Sequence, residues 1–584
     1  IEKAVSHAVD NIQNNNNSFV VYGEPQSGKT EMMICLTAKL IDIGHRIIIV
    51  LLNDSVDLLK QNLTRFTVSQ ITPTPQNNRT ILDSTHNMDS SEWIIFCKKN
   101  ASDLRLLNDK VGKYKKKIII DDEADYASPN AKINKGTQTT INDLISKLLG
   151  SDGIYIGVTA TPARLDLNNT FNNKTKDWVS FPPHSFYNGQ DTFFPTDLTK
   201  PPSFELIELP MENDDNKFLR NALFSFIVKV SHLNVMDTEH QQNYSMLVHT
   251  SGKKEDHSKD LKLINEVLNS LHNKSHPKYR KYWETIYSLA EKKFPASSDL
   301  IVRYAYDNIR KNQIVLINSE KDLKTVDIEF ATTPKTPFTI AIGGNIISRG
   351  VTFENLLVMF FTRNVKHKIQ SDTFIQRARM FGNRGHYLKY MELHIPGELY
   401  LDWHRCFVYH RLTTDAVLKG EADAVWLSDH RINTVASSSV DKVNVFMDKG
   451  EMPFAKFELT AEIEQIVNDL SINPINKIEM IKRIVGDSDI MPKHVENFVQ
   501  NFSPKVDHPV AFHHSTSIVN YKDADQDEVY RKKQFMGQRD LEPKKYPDAV
   551  HHFKIFYNAH NVARLFYKYE AKISFFKNKK YLND

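Results

Sequence analysis

Cysteine is nearly absent from this chain of 584 residues. Only Cys35, Cys97 and Cys406 occur, far apart and without metal-ligand spacing. That excludes a disulfide framework and a zinc ribbon, and it fits a reducing, cytoplasmic setting. No apolar stretch approaches the roughly 20 residues a membrane span requires, so no membrane partner is expected. No signal peptide is visible, and residue 1 is Ile rather than Met, which leaves room for an upstream segment. An excess of one charge is lacking too: 75 Lys and Arg stand against 71 Asp and Glu, a formal net charge of +4. Such a balance permits local basic patches for nucleic acid without arguing for them. There is no internal repeat. The length allows about three to five domains with several full cores.

Glycine is sparse, 20 in all, yet two fall in one run of eight: Gly23-Glu24-Pro25-Gln26-Ser27-Gly28-Lys29-Thr30. This is an unbroken G-x-x-x-x-G-K-T. An apolar run from Ser18 to Tyr22 precedes it, and a helix-like run from Glu31 to Leu36 follows. Strand, glycine loop and helix are the context in which backbone N–H groups turn inward around phosphate oxygens. The helix N-terminus adds partial positive charge. Gly23, Gln26, Ser27, Gly28, Lys29 and Thr30 are therefore expected to cradle a nucleoside triphosphate. Lys29 would reach the β- and γ-phosphates and the Thr30 hydroxyl would hold Mg2+. The cofactors implied are ATP and Mg2+.

Short apolar strands alternate with helical patterns over residues 1–165. Candidates are Phe19–Tyr22, Arg46–Leu52, Trp93–Cys97, Lys117–Asp121 and Ile154–Thr159. Runs apolar on both sides read as buried parallel strands, which gives a doubly wound α/β domain. Asn and Pro pairs punctuate residues 166–215, expected to be an irregular linker packing on the first domain. A second α/β domain follows over 216–400, with candidate strands Met246–His249, Ile314–Ile317, Thr339–Gly343, Leu356–Phe361 and Glu392–Ile395. A helical insertion is expected at about 256–312. There Lys278, Arg280 and Lys281 alternate with Tyr279 and Tyr287, a pattern that fits a solvated helix face better than a nucleic-acid contact. Residues 401–584 read as a mostly helical accessory region, with helices over Tyr400–Val425 and Ala461–Val485. The fold class is thus α/β, two RecA-like parallel-sheet domains in tandem with a helical insertion and a mostly helical C-terminal region.

Lys117-Ile118-Ile119-Ile120-Asp121-Asp122-Glu123-Ala124-Asp125 is a strand that ends in acids. ATP hydrolysis needs one carboxylate for Mg2+ and another to orient the attacking water. Asp122 and Glu123 fall where those roles belong, with Asp121 still inside the strand. Gly157-Val158-Thr159-Ala160-Thr161-Pro162 comes next, and its threonine hydroxyls can hydrogen-bond the acidic loop and sense its state. The second domain carries Gly343-Gly344-Asn345-Ile346-Ile347-Ser348-Arg349-Gly350-Val351-Thr352, then Gln376-Arg377-Ala378-Arg379-Met380-Phe381-Gly382-Asn383-Arg384. Arginines on a second domain that face a P-loop on the first can neutralise transition-state charge and report closure.

This ordered set, Walker A, D-D-E-A-D, T-A-T-P, R-G and Q-x-x-R, resembles superfamily 2 helicases over about residues 18–390. The last motif departs from their usual form. Together with the Gly343–Thr352 stretch, it resembles the Z1 domain of bacterial endonuclease-associated ATPases. Ser245-Met246-Leu247-Val248-His249-Thr250-Ser251, Asp177-Trp178 and Tyr187-Asn188-Gly189 are similar to that family as well. The usual tryptophan and tyrosine of its Gln-to-Arg motif are Met380 and Asn383 here. The resemblance implies Lys29, Glu123, Arg379 and Arg384 as catalytic residues, with Gly350 and Gln376 joining the nucleotide site. It implies Thr159, Thr161 and Arg349 as coupling residues and Thr30 with Asp122 as metal ligands. It further implies a DNA translocase or remodelling ATPase, acting as motor or switch of a restriction or anti-phage defence system. Nucleic acid, DNA rather than RNA, and a partner nuclease or effector are the expected partners.

Two other readings stay open. One is an ATP-gated scaffold that licenses a partner nuclease without translocating. The other is a self-contained ATP-dependent nuclease, since Pro547-Asp548 and Glu570-Ala571-Lys572 fit P-D…E-x-K. The pattern is cheap, because Glu291-Lys292-Lys293 and Glu542-Pro543-Lys544 match it too. The histidines His513, His514, His551, His552 and His560 have no ligand-like order.

Overall fold

The run Ile47–Leu52 is apolar at every position, so the strand it forms needs cover on both faces. A computed structural model describes residues 1–82, 88, 91–196, 198–210, 216–317, 332–344, 352–365, 367–420, 424–449, 451–486, 490–491, 493–501, 508–531, 535–536, 545–569 and 573–580. In it this strand, β2, lies inside a sheet with β1 (Ser18–Tyr22), β3 (Gln76–Asn77), β4 (Trp93–Lys98), β5 (Ile118–Asp122), β6 (Ile154–Thr159) and β7 (Val179–Ser180). The order is β3-β4-β2-β5-β6-β1-β7 and every pairing is parallel. Alternate residues serve opposite faces. Ile48, Val50 and Leu52 join one core with Met32, Met33 and Leu36 of the helix Lys29–Asp42, and Ile47, Ile49 and Leu51 join another. Register sets Tyr22 beside Thr159 and Asp122 beside Val158, so the loops leaving β1, β5 and β6 gather at one edge. That edge is where open parallel sheets bind ligands.

A second parallel sheet follows. Its strands are β9 (Glu205–Leu209), β10 (Tyr244–His249), β11 (Asn312–Ile317), β12 (Phe338–Gly343), β13 (Leu356–Phe361) and β16 (Glu392–Pro396), in the order β11-β12-β10-β13-β16-β9. The ten strands expected from apolar runs all form, with ends shifted by two residues at most. The chain therefore has two tandem RecA-like sheets. Between β10 and β11 the expected insertion is three helices, Lys254–His272, Tyr279–Lys293 and Ser298–Asn308. Lys278 pairs with Glu266 at 2.6 Å and Arg280 with Glu284 at 2.8 Å, as a solvated helix face does.

Of the 166–215 segment, expected to pack on the first lobe, β7 does so by pairing with β1, whereas β9 lies on the edge of the second sheet. A short antiparallel pair joins β8 (Tyr187–Asn188), from this segment, to β15 (Gly382–Asn383) of the second lobe. β14 (Ile369–Gln370) pairs with Ile432–Asn433.

The C-terminal region contains the helices Gly397–Leu418, Ala461–Asn468, Pro474–Val485 and Lys493–Asn501; the single helix expected over Ala461–Val485 is two, broken before Pro474, and the last was not expected. Their limits follow from local chemistry. Thr460 and Asn473 accept backbone N–H groups at two N-termini, Pro474 opens one helix, and Gly486, at φ 69°, closes it. The expectation of a mostly helical region misses its strands, however. Glu451–Glu458, Val510–Phe512, His551–Tyr557 and Val562–Tyr569 build one sheet, and Val425–Ser428, Val445–Lys449 and Ser574–Asn578 build another. The helix expected to run to Val425 stops at Leu418, before Gly420 at φ 69°, and Val425 opens a strand. Aromatic side chains such as Phe553, Tyr567 and Phe575 fill this region's core, which is continuous with the second lobe.

Candidate nucleotide site between the two lobes

Gly23 to Thr30 form a tight loop between β1 and the helix Lys29–Asp42. Gly28 has φ +92°, where a side chain would be strained. A Cβ on Gly23 would lie 2.9 Å from Phe181 and 3.1 Å from the Lys29 side chain. The Lys29 ammonium donates to the carbonyls of Gly23 at 3.2 Å and Glu24 at 2.9 Å. Ser27 Oγ and Gln26 Oε1 are buried and find no hydrogen-bond partner among the described residues. A buried hydroxyl without a partner, beside an ammonium and a helix N-terminus, suits a phosphate group.

The acids sit across from this loop. Burial, and then the neighbouring charge of Glu123, push the Asp122 carboxyl up to about 7, against the pull of Lys29 and Lys99. Glu123 has φ +50°, a strained value for a glutamate, and its N–H donates to Asp122 Oδ1 at 3.0 Å. Lys99 holds this turn from behind. Its buried ammonium contacts Asp121 at 2.9 Å and donates to the carbonyls of Asp122 and Glu123, each at 2.9 Å. Asp121 also accepts from Ser128 at 2.5 Å and Tyr155 at 2.6 Å, so it is spent inside the fold. The sequence reading had missed Lys99, because it belongs to no motif; only its position just past β4, two strands from β5, hints at the contact.

Thr159 Oγ1 donates to Asp125 Oδ1 at 2.7 Å and accepts the Thr161 N–H at 2.9 Å. The two threonines thus connect the acidic turn to the loop after β6. Gln376, from the second lobe, donates its side-chain amide to Glu123 Oε2 at 2.8 Å and to Thr161 Oγ1 at 3.2 Å. Gln26 of the P-loop donates to the Ala378 carbonyl at 3.4 Å, and Arg164 is paired with Asp372. A cleft of about 750 Å3 lies between the lobes, lined by Lys29, Thr30, Asp122, Glu123, Arg379 and Arg384 among others.

The buried Arg384 guanidinium donates to the carbonyls of Met380 at 3.2 Å, Phe353 at 2.8 Å, Phe381 at 3.0 Å and Arg379 at 3.4 Å, and to the Tyr387 hydroxyl at 3.0 Å. It knits its own loop together. Arg379 also lines the cleft. Arg349 and Gly350 lie outside the described residues, as do Glu570 and Lys572. His513 and His552 face each other at 3.1 Å.

With this geometry in view, family comparison adds the following. Residues 218–424 match the family model of the Z1 domain. Over these residues the chain is similar to Z1 domains. The Z1 match covers the second lobe from its first helix through the Gln376–Arg384 motif, whereas Trp178 and Tyr187–Gly189 lie outside it. Residues 2–164, the first lobe, match the model of the res subunit of type III restriction enzymes. The likeness to superfamily 2 helicases and Z1 ATPases expected from the motifs therefore holds. No curated protein sequence matches the chain. Among solved structures, S. cerevisiae Dbp5 bound to RNA and ADP BeF3 is 13% identical, over 68% of this chain and 83% of that one, with a TM-score of 0.37. The type ISP restriction-modification enzyme LlaBIII bound to DNA is 12% identical, over 74% of this chain and 31% of that one, at 0.39. A putative HsdR subunit of a type I restriction enzyme from Vibrio vulnificus YJ016 is 13% identical, over 68% and 64%, at 0.36. Likeness this low assigns no residue a role. Among the described residues, no helix is long and apolar enough to cross a membrane.

Proposed function

We propose that this chain is an ATP-dependent DNA translocase or remodelling ATPase, the motor or licensing switch of a restriction or anti-phage defence system. The observation that carries the reading is Gln376 of the second lobe bonded to Glu123 and Thr161 of the first, at the mouth of the P-loop cleft. Such a contact lets the state of one lobe be felt at the other. Bound Mg2+–ATP supplies the phosphoanhydride bond and a cation that offsets charge on its phosphates. Lys29 and the loop amides of Gly23–Thr30 would hold the phosphates, and Thr30 with Asp122 would hold the cation. Glu123 orients the attacking water and takes up its proton. Arg379 neutralises charge that develops on the transferring group, and Arg384 shapes the loop that presents it.

Nucleic acid lies across the same edge of both lobes. Arg363, half-buried beside Gly252 and 3.2 Å from His249, gives the second lobe a positive group there, with the exposed Lys253 next to it. Cleavage chemistry belongs to a partner nuclease or effector. The scaffold reading draws on one observation, the C-terminal region's contacts with both lobes: Trp426 shares a buried cluster with Ile49 of the first sheet, and Phe575 shares another with Leu393 of the second. The test is ATP hydrolysis by the purified chain with and without single- and double-stranded DNA and RNA. Turnover raised by DNA, with the gain shrinking as salt rises, supports the motor. Turnover indifferent to every nucleic acid favours the scaffold, and no hydrolysis at all removes the ATPase.

A further inference from the structure

The segment between the lobes contains Tyr187, Asn188, Gly189 and Gln190, and each touches one of the two loops that face each other across the cleft. On the P-loop side, the Tyr187 hydroxyl donates to the Pro25 carbonyl at 2.5 Å. The Glu24 carboxylate accepts the Gln190 N–H at 3.1 Å and its side-chain amide at 3.3 Å. On the arginine side, Asn188 pairs with Gly382 and Tyr187 with Asn383 as antiparallel strands, and Asn188 Oδ1 accepts the Arg384 N–H at 3.2 Å. The Tyr187 ring stands edge-on to Phe381, at 6.4 Å and 84°. Gly189 has no room for more: a methyl group there would overlap both Glu24 and the Tyr187 ring.

The segment is anchored at both ends. Upstream, Phe181 N–H donates to the Tyr22 carbonyl at 2.7 Å, next to β1 of the first sheet. Downstream, Phe193 and Phe194 are fully buried in the second lobe's core, with Tyr400 donating to the Phe193 carbonyl at 2.8 Å and Arg411 to that of Phe194 at 2.9 Å. We infer that Tyr187–Gln190 form a strap that fixes the P-loop relative to the arginine loop, with Tyr187 and Asn188 as positioning residues for hydrolysis. The inference rests on the ATPase reading of the cleft. Catalytic groups have to be held within about 0.5 Å of their working geometry. A segment bonded to both loops removes the freedom that would otherwise blur it. The P-loop's own amides still cradle phosphate when the strap is cut, so turnover is the sensitive quantity and affinity the insensitive one.

The test uses the full chain with Tyr187→Phe, which keeps the ring and loses the hydroxyl, and with Asn188→Ala. Gly189→Ala serves as an independent variant that keeps every hydrogen-bonding group. Two readouts are taken. The first is turnover against affinity for a fluorescent ATP analogue, at an unchanged melting midpoint. The second is the distance distribution between spin labels on Cys35, the exposed cysteine of the first lobe, and on Lys281→Cys of the insertion, without nucleotide. Each variant is expected to lose about three- to tenfold in turnover, the range set by one hydrogen bond, with affinity held within about twofold. The distance distribution widens. Distributions as narrow as the parent's in all three variants overturn the strap, whatever the turnover. A widened distribution with parent turnover, or equal losses of turnover and affinity, overturns the positioning role. A parent chain that hydrolyses no ATP removes the reading of the cleft, while the distance measurement still judges the strap.

Discussion

The side-chain amide of Gln376 donates to the Glu123 carboxylate at 2.8 Å, from one lobe to the acidic turn of the other. The same nitrogen reaches Thr161 at 3.2 Å. Gln376→Ala removes both bonds without adding a group. Turnover is expected to fall about tenfold and any stimulation by DNA to fall with it, while ATP affinity stays within about twofold. Steady-state hydrolysis with and without DNA, set beside equilibrium binding, measures the split.

Lys29→Ala is expected to abolish hydrolysis, because phosphate charge loses its counter-ion. Glu123→Gln is expected to bind ATP and fail to turn it over, because the water loses its base. Parent-rate hydrolysis by the glutamine variant would remove Glu123 from its role.

Arg379 and Arg384 are expected to fail differently. Arg379→Ala should lower turnover by the factor of an arginine finger, about 10³–10⁵. Arg384→Ala leaves buried carbonyls of Met380, Phe353 and Phe381 without their donor, and so should lower the melting midpoint as well. Arg384→Lys keeps the charge and loses the planar fork, so it should not restore the midpoint. A normal midpoint with lost turnover in Arg384→Ala would make Arg384 the finger instead.

The sheet strands and the nucleotide loop could be read from the sequence because each is local. Ile47–Leu52 and Ile118–Asp122 show their burial in five or six consecutive residues, and Gly23–Thr30 carries its whole chemistry in eight. The acidic turn and the threonines were equally legible. Contacts between distant segments were not. Lys99 beneath the acidic turn belongs to no motif, and nothing local in Tyr187 or Pro25 shows that the two meet. The strands His551–Tyr557 and Val562–Tyr569 were hidden for another reason. Lys554 and Lys568 interrupt their apolar pattern, yet both are buried, their ammonium groups drawn under neighbouring rings and carbonyls. The pattern therefore looks like a basic surface where there is a core.

Acid should weaken the fold through His410. It is buried between Tyr22 and Trp426, and burial with the nearby Arg411 charge holds it down to about 3. In the unfolded chain it takes a proton near its ordinary 6.5, so unfolding binds protons as pH falls from about 6.5 towards 3. Stability is fully present above that window and declines within it. At pH 5 the cost is about 2 kcal/mol for this one group. Melting midpoints measured from pH 7 to 5 should fall, and His410→Phe should flatten the slope.

Trp426, Val435, Val440 and Val445 belong to the same buried cluster as Ile47, Ile49 and Leu51 of the first sheet. Asn578 adds bonds to Asp166 and Asn169 at 3.1 and 2.8 Å. The far end of the chain is thus the lining of one face of the first lobe. Cutting the protein after the second lobe would strip that lining and leave Trp178 and its neighbours bare to water. A shortened protein would be sticky before it was inactive, and its loss of activity would say nothing about what the C-terminal region contributes to the motor.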